Sequence, residues 1–162
     1  MNSDGKFLTG LWFDESKDAA KHKIECEEKY LDIFGETCLW LDIYFEGKQP
    51  DFTPAYRLEN FTEFRGKVAD IMKEIPFGAT LTYNDIAKRI AESRGIERMS
   101  AQAVGGAVGS NPICIIIPCH RVVGTNGSLT GYGGGIKNKE ALLIHERVDM
   151  SRFFIPEKGT AL

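Results

Sequence analysis

The sequence lacks the features of a membrane protein, a secreted disulfide scaffold or a zinc module. Its longest apolar stretch runs only from Ile113 to Pro118, whereas a membrane-spanning helix needs about 20 residues. Its four cysteines have no paired zinc-ligand spacing, and we find no secretory signal pattern before them. We therefore expect a protein of the cytoplasm, or of the nucleus in a eukaryote, with reduced thiols and no membrane contact.

The sequence also has no excess of positive charge. It carries 20 Lys and Arg residues against 23 Asp and Glu residues, which gives a net charge of -3 at pH 7. A nucleic-acid partner would therefore have to be bound by a local patch and not by the field of the whole protein. A chain of 162 residues with 43% hydrophobic composition can bury about 70% of its unfolded surface, enough for one core or two small ones.

Two small units are predicted on either side of a proline-containing segment. Residues 6–48 mix a short apolar run with a stretch of helical periodicity. Residues 47–58 contain Pro50 and Pro54 and little periodicity, which is typical of a linker. We therefore divide the chain into an N-terminal unit of strands and helices (1–56) and a mostly helical C-terminal unit (57–162). The residues at helical spacing before the linker are Leu39, Trp40, Ile43 and Tyr44.

The C-terminal unit opens with the clearest helix of the sequence. Apolar residues recur at steps of three and four from Phe61 to Ile75. Asn60 is predicted as its N-cap, with Glu63 three residues later as the capping-box partner. Pro76 and the glycine that follows soon after are predicted to end it.

Two shorter helices follow at the spacing of a helix-turn-helix. The first is predicted to begin at Thr82, with Asp85 as its capping-box partner, and to end near Gly95. The second is predicted from about Ser100 to Val108. In a helix-turn-helix the later helix is the recognition element, although helical hairpins in many protein cores show the same pattern.

A candidate nucleophile lies just after the apolar run. Cys119 has core residues on one side, while His120 offers a base and Arg121 a permanent cation. A free thiol is only a few per cent thiolate at neutral pH, so cationic neighbours would favour its reactive form. Without further context, the burial tendency of free cysteine favours an inert core residue. We adopt that interpretation for the other cysteines, which are Cys26, Cys38 and Cys114.

The segment Ile117-Pro118-Cys119-His120-Arg121-Val122-Val123 resembles the signature of the O6-alkylguanine-DNA alkyltransferases, also called methylated-DNA-protein-cysteine methyltransferases. Further matches lie at 103–107, 111–112, 131–132, 134–135, 139–140 and 145–146. The resemblance is strong from about 61 to 148 and faint before it. It implies an α/β (α+β) protein with a small ribonuclease-H-like N-terminal domain of sheet and helices. The helical C-terminal domain would carry the helix-turn-helix and the chemistry.

The resemblance implies irreversible transfer of an alkyl group, such as methyl, from O6-alkylguanine, and from O4-alkylthymine, in DNA to Cys119. His120 would be the water-linked base, and Glu146 would orient and charge its imidazole as in a hydrolase triad. Tyr83 would stabilise the charge that develops on guanine O6. Each chain would react once, because water does not hydrolyse the thioether. Taken alone, Glu146 is more typical of a solvated helix carboxylate and Tyr83 of a half-buried core residue.

The resemblance also implies a pocket for a base that has been flipped out of the duplex. Tyr132 would lie on the base or its alkyl group, and backbone groups of Val122 and Ser128 would contact the base. Gly133 stands where the family often has serine, so it would offer only its amide and would enlarge the pocket. Asn111 would tie the recognition helix to the active-site turn, although its place before Pro112 also suits an ordinary helix end.

Small residues on the last helix point to close contact with DNA. Ala103, Gly105 and Gly106 would let the backbone approach the minor groove of double-stranded DNA, at some cost in helix stability. Gln102 stands where the family normally has an arginine that fills the gap left by the flipped base. Because glutamine lacks that charge and planar surface, we expect weaker or less salt-dependent duplex binding.

Three arginines are further candidate DNA contacts. The turn between the two short helices is longer than in the family and brings Arg94 and Arg98, which would contact phosphates. An exposed charged turn is an equally good interpretation of these two residues. Arg121, next to the candidate acceptor, is also predicted to contact DNA.

Some members of this family bind zinc in the N-terminal unit. His22, Cys26 and Cys38 do not reproduce those ligands at a recognisable spacing. We therefore predict no metal and no cofactor.

Two other functions stay open. Alkyltransferase-like proteins share the helix-turn-helix and the pocket and act as lesion sensors without transfer, but they typically replace the acceptor cysteine, often by tryptophan. Cys119 argues against that class. An unrelated Cys-His-Glu hydrolase would turn over an acyl substrate without DNA. We expect a monomer that binds double-stranded DNA containing O6-alkylguanine.

Overall fold

The computed structural model describes residues 1–14, 16–21 and 26–157, apart from the side chains of Ala20 and Lys21. His22, weighed above as a zinc ligand, lies outside the described residues. The secondary structure combines helices with very small sheets, which confirms the predicted α+β class. No helix in the described ranges is long and apolar enough to cross a membrane. The helices are α1 (Lys17–Lys21), α2 (Asp32–Phe45), α3 (Glu63–Lys73), α4 (Tyr83–Arg94), α5 (Ala101–Val108) and α6 (Ile136–His145). The strands are β1 (Asn2–Ser3), β2 (Leu8–Gly10), β3 (Leu81–Thr82) and β4 (Val122–Val123), and short 3-10 helices cover Cys119–Arg121 and Met150–Arg152.

Strand β2 joins three distant parts of the chain. It pairs with β1 in an antiparallel hairpin, and Leu8 forms a parallel bridge with Tyr56. Leu11 follows β2 directly. Its amide donates to the carbonyl of Pro112 at 2.8 Å, and its carbonyl accepts from the amide of Cys114 at 2.8 Å. The end of the predicted linker is thus hydrogen-bonded to β2, and the residue that follows β2 is hydrogen-bonded to the loop that precedes Cys119.

One apolar cluster spans both predicted units. It contains Leu8 and Tyr44 from the N-terminal part and Val68, Ile90 and Ile117 from the C-terminal part, all buried. The boundary near residue 56 stays a prediction, since residues on both sides of it share this core. On α2 the buried stripe is Ile33, Thr37, Trp40 and Tyr44, and Leu39, one of the apolar residues at helical spacing, is exposed.

The helix ends follow local capping chemistry. Thr82 and Asp85 form the predicted capping box of α4, and Gly95 ends it in the left-handed conformation at φ 63°. The predicted cap of α3 is wrong, because Thr62 accepts the hydrogen bond from the Arg65 amide while Asn60 takes a left-handed turn at φ 55°. Asparagine tolerates that conformation better than most residues.

Helices α3, α4 and α5 pack together and expose one face of α5. Val104, Ala107 and Val108 of α5 are buried against the other two helices. The predicted helix from about Ser100 is confirmed, with Ser100 as its N-cap. Gln102, Ala103 and Gly106 face outward from this three-helix unit.

Candidate active site

The Asn111 side chain links the end of α5 to the loop that carries Cys119. Its buried side-chain amide donates to the carbonyl of Ile117 at 2.8 Å and to Sγ of Cys119 at 3.0 Å. Its Oδ1 accepts from the amide of Ile113 at 3.0 Å. The side chain therefore closes the loop and places a hydrogen-bond donor on the candidate nucleophile.

The loop between Asn111 and Cys119 folds back on itself at Ile115. Ile115 has φ 69°, which is unusual for a β-branched residue and costs about 1–2 kcal/mol. The turn is held by hydrogen bonds from the Ile116 amide to the Cys114 carbonyl at 2.8 Å and from the Ile117 amide to the Ile113 carbonyl at 3.1 Å. Cys114 and Cys119 lie on either side of this reversal, and both are buried.

The surroundings of Cys119 favour its thiolate. Only 5% of the residue is exposed. The hydrogen bond from the Cys114 thiol lowers the pKa of Cys119 most; burial opposes this effect, and the Asn111 amide and the Lys139 charge lower the pKa further. Hydrogen bonds and opposite charge stabilise the ionised form in this way. His120 and Arg121 were the cations expected to favour the thiolate, whereas the charge that lowers the pKa of Cys119 is that of Lys139.

Lys139 is a fully buried cation beside Cys119. Its Nζ donates to the carbonyl of Val122 at 2.6 Å and to that of Thr130 at 3.0 Å. Burial lowers the pKa of Lys139 to about 8, and the charge of Cys119 opposes this shift. Lys139 is therefore still mainly protonated at neutral pH. Lys139 was given no role in the sequence analysis, although it lies on the buried stripe of α6, where a lysine is rare.

Glu146 is the centre of the second part of the site and is only 2% exposed. Its Oε1 accepts from Tyr44 Oη at 2.8 Å and contacts His120 Nε2 at 2.7 Å. Burial raises the pKa of Glu146, but hydrogen bonds from His120 and Arg121 outweigh it and lower the pKa to about 2. Glu146 is thus a buried carboxylate that stays ionised, and the alternative of a solvated helix carboxylate is wrong.

His120 is held with one ring nitrogen free to accept a proton. Nε2 faces the carboxylate of Glu146, which when ionised can only accept, so the proton lies on Nε2. Nδ1 is buried and has no hydrogen-bond partner among the residues that the structure describes. Burial lowers the pKa of His120 below its ordinary value, although Glu146 raises it. The imidazole is therefore neutral at pH 7, with a basic nitrogen available.

Arg121 does not have the predicted place at the DNA surface. Only 5% of it is exposed. Its Nε donates to Glu146 Oε2 at 2.9 Å and its Nη1 donates to the carbonyl of Ile75 at 2.6 Å. A buried guanidinium needs such partners, and losing them to reach a phosphate would be costly. Arg121 therefore fixes Glu146 from inside the protein.

Tyr83, the first residue of α4, faces the loop that follows β4. Its hydroxyl donates to the carbonyl of Thr130 at 3.0 Å. Burial and the charge of Cys119 raise the pKa of Tyr83, so the phenol remains a proton donor at neutral pH. Gly131, at φ 74°, leaves room for it, because a Cβ there would lie 2.8 Å from the hydroxyl oxygen.

The predicted pocket residues divide into two groups. Tyr132 is buried beside Cys119, and its ring lies edge to face with that of Phe13, with the ring centroids 6.5 Å apart. Its hydroxyl has no hydrogen-bond partner within the described ranges. Ser128 lies in a separate turn, where its amide donates to the Asn126 side chain at 3.3 Å. The carbonyl of Val122, expected to contact the base, accepts from Lys139.

Gly133 does not enlarge the pocket as expected. A Cβ at this position would overlap the carboxylate of Asp18, which enters from α1 and is itself buried. The space that a serine side chain would fill is therefore occupied by the N-terminal part of the chain. No pattern in the sequence indicates this contact, because Asp18 and Gly133 are far apart along the chain.

The predicted DNA contacts lie on α5 and the turn before it. Gln102, Ala103 and Gly106 are exposed. Gly105 faces Tyr83 instead, since a Cβ at position 105 would lie 4.0 Å from the Tyr83 ring. In the turn before α5, Arg98 is exposed. Arg94, at the end of α4, forms a 3.7 Å ion pair with Glu63 and lies over the ring of Phe64.

No group of three His, Cys, Asp or Glu side chains in the described part of the chain is arranged to hold a metal ion. Cys26 and Cys38 are both exposed.

Comparison with known proteins places this geometry in a family. The sequence model described as "6-O-methylguanine DNA methyltransferase, DNA binding domain" matches residues 63–148. The methylated-DNA-protein-cysteine methyltransferase of Haemophilus influenzae is 36% identical over 146 residues, which cover 90% of this chain and 78% of that protein. The protein of the same name from Methanosarcina mazei is 45% identical over 144 residues, covering 88% and 86% of the two chains.

Solved structures agree with the sequence matches. The OGT of Mycobacterium tuberculosis in complex with DNA superposes with a TM-score of 0.75 at 37% identity, covering 94% of this chain and 86% of that one. The O6-methylguanine-DNA methyltransferase of Pyrococcus kodakaraensis gives a TM-score of 0.62 at 30% identity, covering 82% and 74%. The fold and the site thus define a DNA-repair transferase with a DNA-binding domain. The chain belongs to the methylated-DNA-protein-cysteine methyltransferase family.

Proposed function

We propose that this chain transfers a methyl or other alkyl group from O6 of guanine in DNA to Sγ of Cys119. The thiolate attacks the alkyl carbon, a carbon-sulfur bond forms and the bond from that carbon to O6 breaks. The electron pair of that bond stays with guanine, which gains the proton that the thiol has lost. The product is a stable thioether, so each chain reacts once.

One observation carries this proposal: the buried Cys119 thiol, whose pKa is lowered, lies next to a neutral histidine that a buried carboxylate holds through Nε2, while its Nδ1 has no partner among the described residues. Nδ1 of His120 takes the Cys119 proton through a bridging water, and Glu146 stabilises the imidazolium that results. This is the nucleophile, base and orienting-group arrangement of a triad. Arg121 and Tyr44 hold Glu146 in place.

Tyr83 and Tyr132 are the proposed groups that handle the base. Tyr83 exchanges its hydrogen bond with Thr130 for one to the guanine, where its phenol offsets the charge that develops as O6 leaves. Tyr132, together with Gly133, forms the wall against the base and its alkyl group. Asn111 keeps Sγ pointing into that space.

The exposed face of α5 is the proposed DNA contact. A base stacked in a duplex cannot reach a sulfur that is 5% exposed, so the damaged nucleotide must be flipped out, at a cost of a few kcal/mol. Small residues such as Ala103 and Gly106 let α5 enter the minor groove, and Gln102 fills the vacated space. Arg98 contacts phosphate. A similar protein, the OGT of Mycobacterium tuberculosis, has been solved in complex with DNA, which supports DNA as the partner.

We extend the proposal to O4-alkylthymine, which presents the same alkyl-oxygen bond.

The chain works as a monomer, since the acceptor, the base and the orienting carboxylate all come from one chain. Its place in the cell is where the DNA is, the cytoplasm of a prokaryote or the nucleus of a eukaryote.

The test is the intact mass of the protein after incubation with a duplex that contains one O6-methylguanine, followed by peptide mapping. We expect one methyl group per chain, located on Cys119 and absent from Cys119→Ala, with Cys38→Ala as the matched control that still reacts. Lesion-selective binding without a gain in mass would indicate a sensor. Hydrolysis of an acyl substrate without DNA would indicate a hydrolase.

A further inference from the structure

The carboxylate of Asp18 fills the space that a side chain at position 133 would take. A Cβ on Gly133 would overlap both carboxylate oxygens of Asp18. The backbone at Gly133 is not in the left-handed conformation that favours glycine, so space excludes a side chain there, not backbone conformation. Asp18 is only 6% exposed. A charged group is thus buried against the wall that we assign to the alkylated base.

Phe13 covers the adjoining part of the same loop. A Cβ on Gly134 would lie 3.0 Å from the Phe13 ring. The rings of Phe13 and Tyr132 meet edge to face, with their centroids 6.5 Å apart. Phe13 and Tyr132 pack in the same apolar cluster as Cys119. We call Phe13 and Asp18 the N-terminal cover, because both side chains lie against the loop that forms the wall.

Backbone hydrogen bonds fix the N-terminal cover at both ends. Leu11 exchanges two hydrogen bonds of 2.8 Å with the loop that precedes Cys119. The carbonyl of Phe13 accepts from the amide of Ser16 at 3.3 Å. Oγ of Ser16 in turn accepts from the amide of Ala19 in α1 at 3.1 Å. The cover is therefore linked to the acceptor loop on one side and to α1 on the other.

The charge of Asp18 also acts on the acceptor sulfur. It raises the pKa of Cys119 and that of Cys114, since a nearby negative charge disfavours a thiolate. This effect agrees with the contact of Asp18 on Gly133, the chain neighbour of Tyr132. The same charge would repel an anionic group that approaches the sulfur.

We propose that Asp18 is a specificity-determining residue: its carboxylate closes the space beside Gly133, so that small uncharged groups reach Cys119 and bulky or anionic groups are disfavoured. For alkylated bases, the inference rests on the transfer to Cys119 proposed above. The side-chain volume of Asp18 limits the size of the group. Its charge discriminates against anionic groups.

Two variants separate volume from charge. Asp18→Asn keeps the size of the side chain and removes its charge, whereas Asp18→Ala removes both. Asp14→Asn is the matched control, because Asp14 lies close by in sequence and is exposed. All three are compared with the unmodified chain.

The first readout is the rate at which iodoacetate and iodoacetamide alkylate Cys119, measured by peptide mapping. The two reagents are similar in size and differ in charge. Both attack the same thiolate, so a change in the pKa of Cys119 cancels in the ratio of the two rates. Asp18→Asn should raise the iodoacetate-to-iodoacetamide ratio by about threefold to tenfold, because charges interact strongly where water is largely excluded. Asp14→Asn should leave the ratio unchanged.

The second readout is the single-turnover rate with duplexes that contain either O6-benzylguanine or O6-methylguanine. Asp18→Ala should raise the benzyl-to-methyl ratio by about tenfold, the effect typical of added room in a closed pocket. Asp18→Asn should leave this ratio unchanged, since it keeps the side-chain volume.

Unchanged ratios would overturn the proposal, whether of the two reagents in Asp18→Asn or of the two duplexes in Asp18→Ala. Equal losses of rate for both duplexes and both reagents, with a lower free energy of unfolding in urea, would also overturn it. That pattern would mean that Asp18 only holds α1 in place. The reagent ratio needs no DNA. A raised reagent ratio without methyl transfer by the unmodified chain would therefore support the role of Asp18 and reject the proposed function.

Discussion

Two parts of the active site are built in different ways. The sulfur loop, residues 111–119, is organised mainly by contacts among its own nine positions, through Asn111 and the turn at Ile115, and is anchored to a distant segment by two hydrogen bonds with Leu11. The carboxylate cluster around Glu146 joins residues that are distant in sequence, namely Tyr44, Gly78, His120 and Arg121. The first part prepares a nucleophile and the second holds a base. Substitutions in the loop and in the cluster should therefore have different effects on stability and on the transfer rate.

Glu146→Gln should have the largest effect on the cluster. It leaves the buried guanidinium of Arg121 without its charge partner, and breaking a buried pair from one side costs about 3–5 kcal/mol. Urea unfolding measures this loss. The matched control is the double variant with Arg121→Met, which should lose less than the sum of the two single changes. A double variant that loses the full sum would show that the pair is not coupled.

Acid should weaken the cluster before it affects the loop. The carboxyl of Glu146 has its pKa lowered from 4.5 to about 2, so the stability it gives is full above the unfolded pKa and is lost as the pH falls toward 2. The shift corresponds to about 3 kcal/mol. His120, whose pKa is lowered on folding, acts in the same direction below its ordinary value of about 6.5. Urea unfolding at pH 5, 4 and 3 measures the decline in the free energy of unfolding. In Glu146→Gln the part of this decline that comes from Glu146 should be absent. An equal decline in both proteins would contradict this assignment.

Tyr44→Phe should have the smallest effect. It removes one of several hydrogen bonds to Glu146, at 2.8 Å, and leaves the stack of the ring on Trp40 intact. We expect a loss of about 1 kcal/mol in the free energy of unfolding and a transfer rate within about threefold of the unmodified chain. A large drop in rate with unchanged stability would mean that Tyr44 takes part in proton transfer and not only in holding Glu146.

The same contrast explains what could be predicted from sequence. The capping box of Thr82 and Asp85 and the end of α4 at Gly95 depend on neighbouring residues, and both predictions are confirmed. The cap of α3 was wrong because two polar residues, Asn60 and Thr62, compete for it within three positions. Local chemistry thus fixes where elements begin, with an uncertainty of a residue or two.

Contacts across the chain were beyond sequence reasoning. Arg121 was predicted to contact DNA, but it is paired with Glu146. This partner lies 25 positions away, so the pairing could not be read from neighbouring residues. Asp18 fills the space beside Gly133 from a helix in the faint N-terminal part of the resemblance. Lys139 was seen only as part of a matching segment, and its charge beside Cys119 follows from the packing of α6. Each error or omission concerns a charged residue whose partner belongs to another element.

The state of His120 tests the contrast between loop and cluster most directly. Nitrogen-15 NMR of a histidine-labelled chain, titrated from pH 8 to pH 5, reports the protonation of each ring nitrogen. We predict a neutral ring with its proton on Nε2 at pH 7, which titrates only below the ordinary pKa of histidine of about 6.5. An imidazolium at pH 7, or a neutral ring with its proton on Nδ1, would contradict the account that Glu146 holds His120 as a base for Cys119.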